Sequence, residues 1–280
     1  YRQSLPGYST IYNRWQCMHV ALYGPGDGEE AAFFAQAATV SDLLAGAPGQ
    51  RVLELGCGLG GNTLHLAARH PGAFFVGIDL MAEHVQRAGA KARALPNASF
   101  HQASFENLSE ALGRFDVIFA VETLCYARNP GRVAASIARL LRPGGRLVIF
   151  DAHRRTDFAR LPENLVIATR LYEVSTAVTR GFHAEGYWET ALSAAGLTLS
   201  ASDDITGRTQ HGLATLHRRA LKAFVGRPWQ MALRVMPRYL ARNTVAGLLG
   251  YHVCFGDGPQ PDPAGGTITY QRIVAQKPRT

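Results

Sequence analysis

The stretch Arg51-Val52-Leu53-Glu54-Leu55-Gly56-Cys57-Gly58-Leu59-Gly60-Gly61 limits the possible folds more than any other part of the chain. A short apolar run ends in a cluster of glycines. Glycine permits a sharp strand-to-helix turn and lets the backbone come close to a ligand. The helix expected next, over about 60–70, opens with unpaired N–H groups. Further strands are predicted at 73–78, 98–102, 115–121 and 146–150, with helices at 81–95 and 132–141 between them. Strands alternating with helices of this length predict an α/β fold, a doubly wound parallel sheet with helices on both faces.

The flanks differ. Residues 6–48 read as helical, because Tyr8, Ile11, Tyr12, Trp15 and Met18 recur at spacings of three and four and 29–45 is Ala-rich up to Gly46. Beyond Asp151 the alternation loosens. Helix and loop are expected over 152–182, a helix over 183–195 stopped by Gly196, and a sixth strand over 197–202. A helical insertion over 205–249 is broken by Gly226-Arg227-Pro228 and Pro237; a Gly/Pro turn region (256–266) and a last strand (267–275) follow. The predicted organisation is a helical cap (1–48), a ligand-binding core (49–151), the remainder of the core with cap helices (152–204), a basic helical lid (205–265) and a terminal strand (266–280).

Charge is concentrated in one place. The chain has 29 basic and 21 acidic residues, a formal net charge of +8. Between Ile205 and His252 there is no Asp or Glu, while Arg208, Arg218, Arg219, Lys222, Arg227, Arg234, Arg238 and Arg242 all fall there. The surplus therefore belongs to the insertion. Three uses are compatible with it: facing an anionic substrate, for which arginine is suited; resting on an anionic membrane surface; or a solvated face without a specific partner. No run approaches the 18 apolar residues of a membrane-spanning helix. Cys17, Cys57, Cys125 and Cys254 are widely spaced, so neither a zinc nor a redox motif is expected, and a reducing cytoplasm is the simpler compartment. No cluster has metal-ligand spacing. The chain starts at Tyr1, not Met, and lacks a signal-peptide pattern, so the natural start is expected upstream.

The glycine loop alone fits a dinucleotide, with Gly56, Gly58 and Gly61 as G-x-G-x-x-G and Asp79 as a ribose acceptor at the end of the second strand. Glu54 opposes that reading: a carboxylate there suits a cationic amino group and repels a pyrophosphate. The stretches Phe115-Asp116-Val117-Ile118 and Leu141-Arg142-Pro143-Gly144-Gly145 stand at the separation of strands four and five. With E-x-G-x-G-x-G, the acidic end of strand two, F-D-V and L-x-P-G-G in order, the chain resembles the class I S-adenosylmethionine-dependent methyltransferases, strongly over about 50–150. The resemblance implies a Rossmann-like seven-stranded sheet and S-adenosylmethionine as cofactor. It implies that Glu54, Gly56, Gly58 and Gly60 hold the methionine part, supported by Asn62 and Tyr12, that Asp79 binds the ribose, and that Leu80 and Met81 flank the adenine. Ser104 stands where the family often has an acidic adenine contact, leaving the Phe105 amide to supply one.

A finer resemblance lies in Val121-Glu122-Thr123-Leu124-Cys125-Tyr126, which is similar to the E-[ST]-x-[CM]-[HY] stretch of sterol, tocopherol and prenyl-diphosphate C-methyltransferases. Methyl transfer from a sulfonium needs alignment of the acceptor and exclusion of water more than it needs an acid–base pair. For an alkene acceptor a carbocation forms; aromatic faces stabilise it, and Glu122 can stabilise it or take its proton. Tyr126 and Glu122 are therefore catalytic candidates, Glu122 also a cofactor contact. His153 or His183 are candidate bases for O- or N-methylation. Tyr23, Tyr187, Trp188, Trp229 and Arg238 are candidate acceptor contacts. The expected function is methylation of a small lipophilic metabolite, isoprenoid or anionic, with C-methylation ahead of O- or N-methylation. A nucleic-acid methyltransferase is a remote alternative, since no N-P-P-Y-type motif follows strand four and no binding module is evident; peripheral membrane contact stays open.

Overall fold

The computed structural model describes residues 13–44, 48–155, 157–225 and 238–279. Helices α1 (Glu29–Phe33) and α2 (Ala35–Leu43) precede β1 (Arg51–Leu55), which passes through the glycine loop into α3 (Gly61–Arg69). Then come β2 (Phe74–Asp79), α4 (Ala82–Lys91), β3 (Ala98–Gln102), β4 (Phe115–Val121), α5 (Pro130–Leu140) and β5 (Leu141–Arg154). The remainder is α6 (Glu163–Ser175), α7 (Tyr187–Ala194), β6 (Thr198–Asp204), α8 (Gln210–Val225), α9 (Arg238–Phe255) and β7 (Ile268–Gln276).

The seven strands form one sheet in the order β3-β2-β1-β4-β5-β7-β6. β1 to β5 are mutually parallel, as the alternation predicts, but β7 lies antiparallel between β5 and β6, so the sheet is mixed. Nothing in the apolar run over 267–275 announces that direction; it follows from where the preceding insertion returns the chain.

Side chains alternate between two buried layers, as strands packed on both faces require. Val117, Phe119 and Val121 of β4 join Val148 and Phe150 of β5 on one face, under α2, α3 and α8. Ile118, Ala120, Leu147 and Ile149 form the other, under α5 and α7. α5 starts cleanly because the Asn129 side chain accepts from the Arg132 amide at 3.0 Å and Pro130 takes the first turn, where no N–H is needed.

The helical leader is only partly realised. Residues 13–28 run as turns and extended chain, and helix begins at Glu29. The three-and-four spacing of Trp15 and Met18 reflects burial against the sheet domain, not a helical face; Tyr8, Ile11 and Tyr12 lie outside the described residues. The helix expected at 183 starts at Tyr187, after Gly186 in the left-handed region. In the insertion, α8 and α9 pack on each other and α9 packs on α6. Leu213 and Ala220 face inward, while Arg218, Arg219 and Lys222 are exposed. Among the described residues, no helix is long and apolar enough to cross a membrane.

Candidate active site

The site lies at the C-terminal ends of β1, β2 and β4, where ligands bind in doubly wound sheets. The glycine loop shapes one wall. Gly56 has φ +68°, and a Cβ there would come within 2.3 Å of Thr123. Gly60, at φ +82°, caps α3 in the left-handed region; it packs against Phe100 and Ala88 and forms the turn without lining the cavity, so the expected cofactor contact passes to Gly61. Gly56, Gly58, Gly61 and Asn62 all line a cavity of about 860 Å³.

Four carboxylates line this cavity: Glu54, Asp79, Glu106 and Glu122. Glu54 is buried, accepting from the Asn62 amide at 3.2 Å and the Thr63 backbone N–H at 3.1 Å, with the Thr63 hydroxyl as a further donor. Burial still outweighs these bonds and pushes its pKa up to about 7. Asp79 accepts from the Gly58 amide at 2.9 Å, the Met81 amide at 2.9 Å and His84 Nδ1 at 3.1 Å. It thus ties the glycine loop to the start of α4, and its two oxygens keep lone pairs for further donors. Leu80, Met81, Ser104 and Phe105 continue the wall. The Ser104 hydroxyl accepts from the Glu106 amide at 3.2 Å and caps a turn, and Glu106 itself lines the cavity two residues beyond the expected acidic position.

Glu122 follows β4 with φ +48°, a conformation non-glycine residues seldom adopt and which marks functional sites. Its carboxylate accepts from the Val20 amide at 2.7 Å and the Tyr270 hydroxyl at 3.1 Å. Gln36 donates to the Val20 carbonyl at 2.9 Å and meets Tyr270 Oη at 3.5 Å. Burial, then the neighbouring charge of Asp151, raises the Glu122 pKa to about 7 against the opposing pull of these donors. Beside Glu122 and Tyr126 a second cavity of about 110 Å³ opens, with an apolar wall of Leu213, Cys254 and Ile268 and a polar one that includes Thr176, Thr209 and the buried carboxylate of Asp151. Tyr126 borders both spaces and donates to the Thr176 carbonyl at 3.0 Å.

Several expected residues lie elsewhere. His153 is buried on the same face of β5 as Leu147 and Ile149, toward α7, and does not line the cavity. Burial lowers its pKa to about 4, and it lies off the cavity wall, so it is not placed to act as a base. Trp188 is fully buried in the layer under α7 and is a packing residue. Tyr23 rests on His211, with ring centroids 4.4 Å apart, away from both cavities. Tyr187 does line the main cavity, stacked on His183 at 5.2 Å. Tyr12, Trp229 and the Arg238 side chain fall outside the described residues; Arg238 opens α9. No described basic side chain of the insertion lines either cavity; Arg227 and Arg234, like the Arg238 side chain, lie outside the described residues.

Two further segments supply lining residues: Gln16 to His19 in the leader, where Met18 belongs to the expected repeat, and the loop 177–183 after α6, of which His183 is a candidate base. Neither carries a motif, and their mixture of polar and apolar residues is one that surface loops share. Among the described residues no cluster of three metal-ligating side chains occurs.

Comparison with known proteins accords with this geometry. Residues 52–145 match the family model "Methyltransferase domain". Methyltransferase phqN of Penicillium fellutanum is 29% identical over 204 residues, covering 68% of this chain and 60% of that protein. 24-Methylenesterol C-methyltransferase 2 of Oryza sativa subsp. japonica is 32% identical over 162 residues, covering 53% and 44%. The chain thus spans about half the length of the curated relatives it matches. The geranyl diphosphate C-methyltransferase structure from Streptomyces coelicolor A3(2) superposes with a TM-score of 0.66 at 16% identity, covering 98% of this chain and 96% of that one, which shows the shared fold. Residues 52–145 thus carry a methyltransferase domain, and the superposition shows that the chain shares the methyltransferase fold.

The lining suits S-adenosylmethionine. Glu54 and Asp79, which flank the glycine loop, fit a ligand bearing ammonium and sulfonium charges and disfavour the pyrophosphate of a dinucleotide at that loop. Asp79 offers acceptors for ribose hydroxyls, and Gly56 and Gly58 line the cavity beside it.

Proposed function

We propose that this protein transfers a methyl group from S-adenosylmethionine to a small lipophilic acceptor, with an alkene carbon as the favoured target. The observation that carries this reading is the position of Glu122: a strained, doubly hydrogen-bonded carboxylate that lines both the main cavity and the smaller one.

When bound, the cofactor supplies an activated methyl on a cationic sulfur. Glu54 and Asn62 would hold the amino-acid end and Asp79 the ribose. The apolar wall of the smaller cavity, Leu213, Cys254 and Ile268, would take an apolar end of the acceptor and keep water from it. As the acceptor's π pair forms the new C–C bond, positive charge develops on the adjacent carbon. The Glu122 carboxylate and the Tyr126 ring stabilise that charge. Glu122, with a pKa near 7, then takes the proton released as the double bond re-forms. The Val20 amide and Tyr270 hydroxyl fix the carboxylate while this happens.

The names of two relatives, a sterol C-methyltransferase and a geranyl diphosphate C-methyltransferase, support an isoprenoid acceptor. Calorimetric titration with S-adenosylmethionine, followed by labelled methyl transfer to prenyl diphosphates, sterols, quinols and amines, tests the proposal. Label on an alkene carbon is the expected result. Label confined to oxygen or nitrogen moves the assignment to the O- or N-methylating alternative. A folded protein that binds no cofactor overturns the proposal.

A further inference from the structure

Two arginines, Arg128 and Arg180, line the main cavity. Both are solvent-exposed, which places them at its rim. Neither guanidinium makes an ion pair or a hydrogen bond among the described residues; Arg128 engages only through its backbone N–H, which Glu106 accepts.

The segments that carry them are built rather than loose. Arg180 occupies the tip of a turn closed by the Gly181 amide on the Val178 carbonyl at 2.9 Å. Both sides of that turn are anchored to Glu173, through the Val178 amide on its carbonyl at 2.8 Å and the Phe182 amide on its carboxylate at 3.0 Å. Glu173 is in turn clamped by Arg154 in a bidentate pair at 2.5 and 2.6 Å. Gly181, at φ +85°, lies so close to that guanidinium that a Cβ would stand 1.7 Å from it. Arg128 leaves a turn in which the Ala127 amide meets the Leu124 carbonyl. His183 Nε2 donates to the Ala127 carbonyl at 3.1 Å and so ties the Arg128 segment to the Arg180 segment. Two exposed guanidiniums are thereby presented from fixed backbone at one cavity rim.

We infer that Arg128 and Arg180 form an anion subsite for the phosphate- or carboxylate-bearing end of the methyl acceptor. Paired arginines suit such groups because each offers planar, multidentate donors. The inference rests on the proposed methyl transfer for the identity of the acceptor, but the anion site can be tested without it. With the apolar wall of the smaller cavity beside Glu122, the subsite defines an amphiphilic acceptor, anionic at the rim and apolar within.

The test uses inorganic pyrophosphate, in EDTA at fixed ionic strength, titrated into protein saturated with S-adenosylhomocysteine. Wild type is expected to bind it, with Arg128→Gln and Arg180→Gln each weakening binding roughly tenfold. Arg218→Gln, on the exposed face of α8, should leave it unchanged. No binding by wild type, equal binding by both rim variants, or the same loss in Arg218→Gln overturns the inference. The cofactor's own carboxylate is the other source of negative charge, so affinities for S-adenosylhomocysteine and for 5′-methylthioadenosine, which lacks that carboxylate, are measured in each variant. A loss confined to S-adenosylhomocysteine assigns the arginines to the cofactor and overturns the acceptor subsite. If no cofactor binds but pyrophosphate binding still needs both arginines, the subsite stands and the methyl-transfer reading falls.

Discussion

The two halves of the site are assembled over very different distances along the chain. On the cofactor side, Glu54 is held by Asn62 and Thr63, eight and nine residues away, and Asp79 holds Gly58 across 21. On the acceptor side, Glu122 is held by Val20 and Tyr270, 102 and 148 residues away, and Tyr126 reaches Thr176 across 50. Contacts made within one strand-turn-helix unit must be written as a compact motif. Contacts made across the fold need only compatible side chains that the topology brings together. The first half therefore constrains the chemistry of the ligand, while the second half is free to vary with the acceptor.

That contrast can be broken by substitution. Glu122→Gln should cause the largest effect, a fall of about 10²-fold or more in methyl transfer, with affinity for S-adenosylmethionine within about threefold of wild type. A matching collapse of cofactor affinity would place Glu122 with the cofactor half instead. Asp79→Ala should weaken cofactor binding by roughly tenfold, the worth of hydrogen bonds to a charged group, while the ranking of acceptors stays fixed. A changed acceptor ranking would show that the halves are not separable.

The same contrast explains what the sequence made legible. The glycine loop, Asp79 and the alternation of β1 to β5 are local, so spacing and residue type suffice to place them. The leader loop at Gln16 to His19 and the 177–183 loop reach the cavity through long-range packing; the repeat that includes Met18 points to a helix and not to a cavity wall. His153 and Trp188 were misplaced for a related reason. A position near a strand's C-terminal end says how close a residue is to the site, but the strand's two-residue period decides which face it joins, and His153 takes the face with Leu147 and Ile149. In the basic insertion, α8 turns Leu213 and Ala220 inward and Arg218, Arg219 and Lys222 outward, a facing that charge content alone does not announce.

Smaller effects sharpen the acceptor half. Tyr270→Phe removes one donor to Glu122 and should lower turnover several-fold, raising the apparent pKa of its pH profile. In wild type, turnover by the free enzyme should rise with pH through about 7 as Glu122 ionises; Glu122→Gln should flatten that limb. A rise that survives in Glu122→Gln assigns it to another group. The smallest change is expected from His153→Gln. Methyl transfer should stay within about twofold of wild type, because the residue faces α7; a larger loss in an equally stable variant would return it to the site.

The antiparallel placement of β7 has a consequence for the order in which the molecule is made. β6 pairs only with β7, and the free edge of β5 is also filled by β7. Tyr270, which holds Glu122, sits on that same strand. During synthesis the glycine loop and β1 to β5 emerge first and can form a cofactor-sized cleft from local contacts. β6 must then wait, without a partner, for a strand that follows the whole insertion. The cofactor cleft can thus form on a nascent chain well before Glu122 is fixed by Tyr270, because that tyrosine arrives on a strand made after the whole insertion.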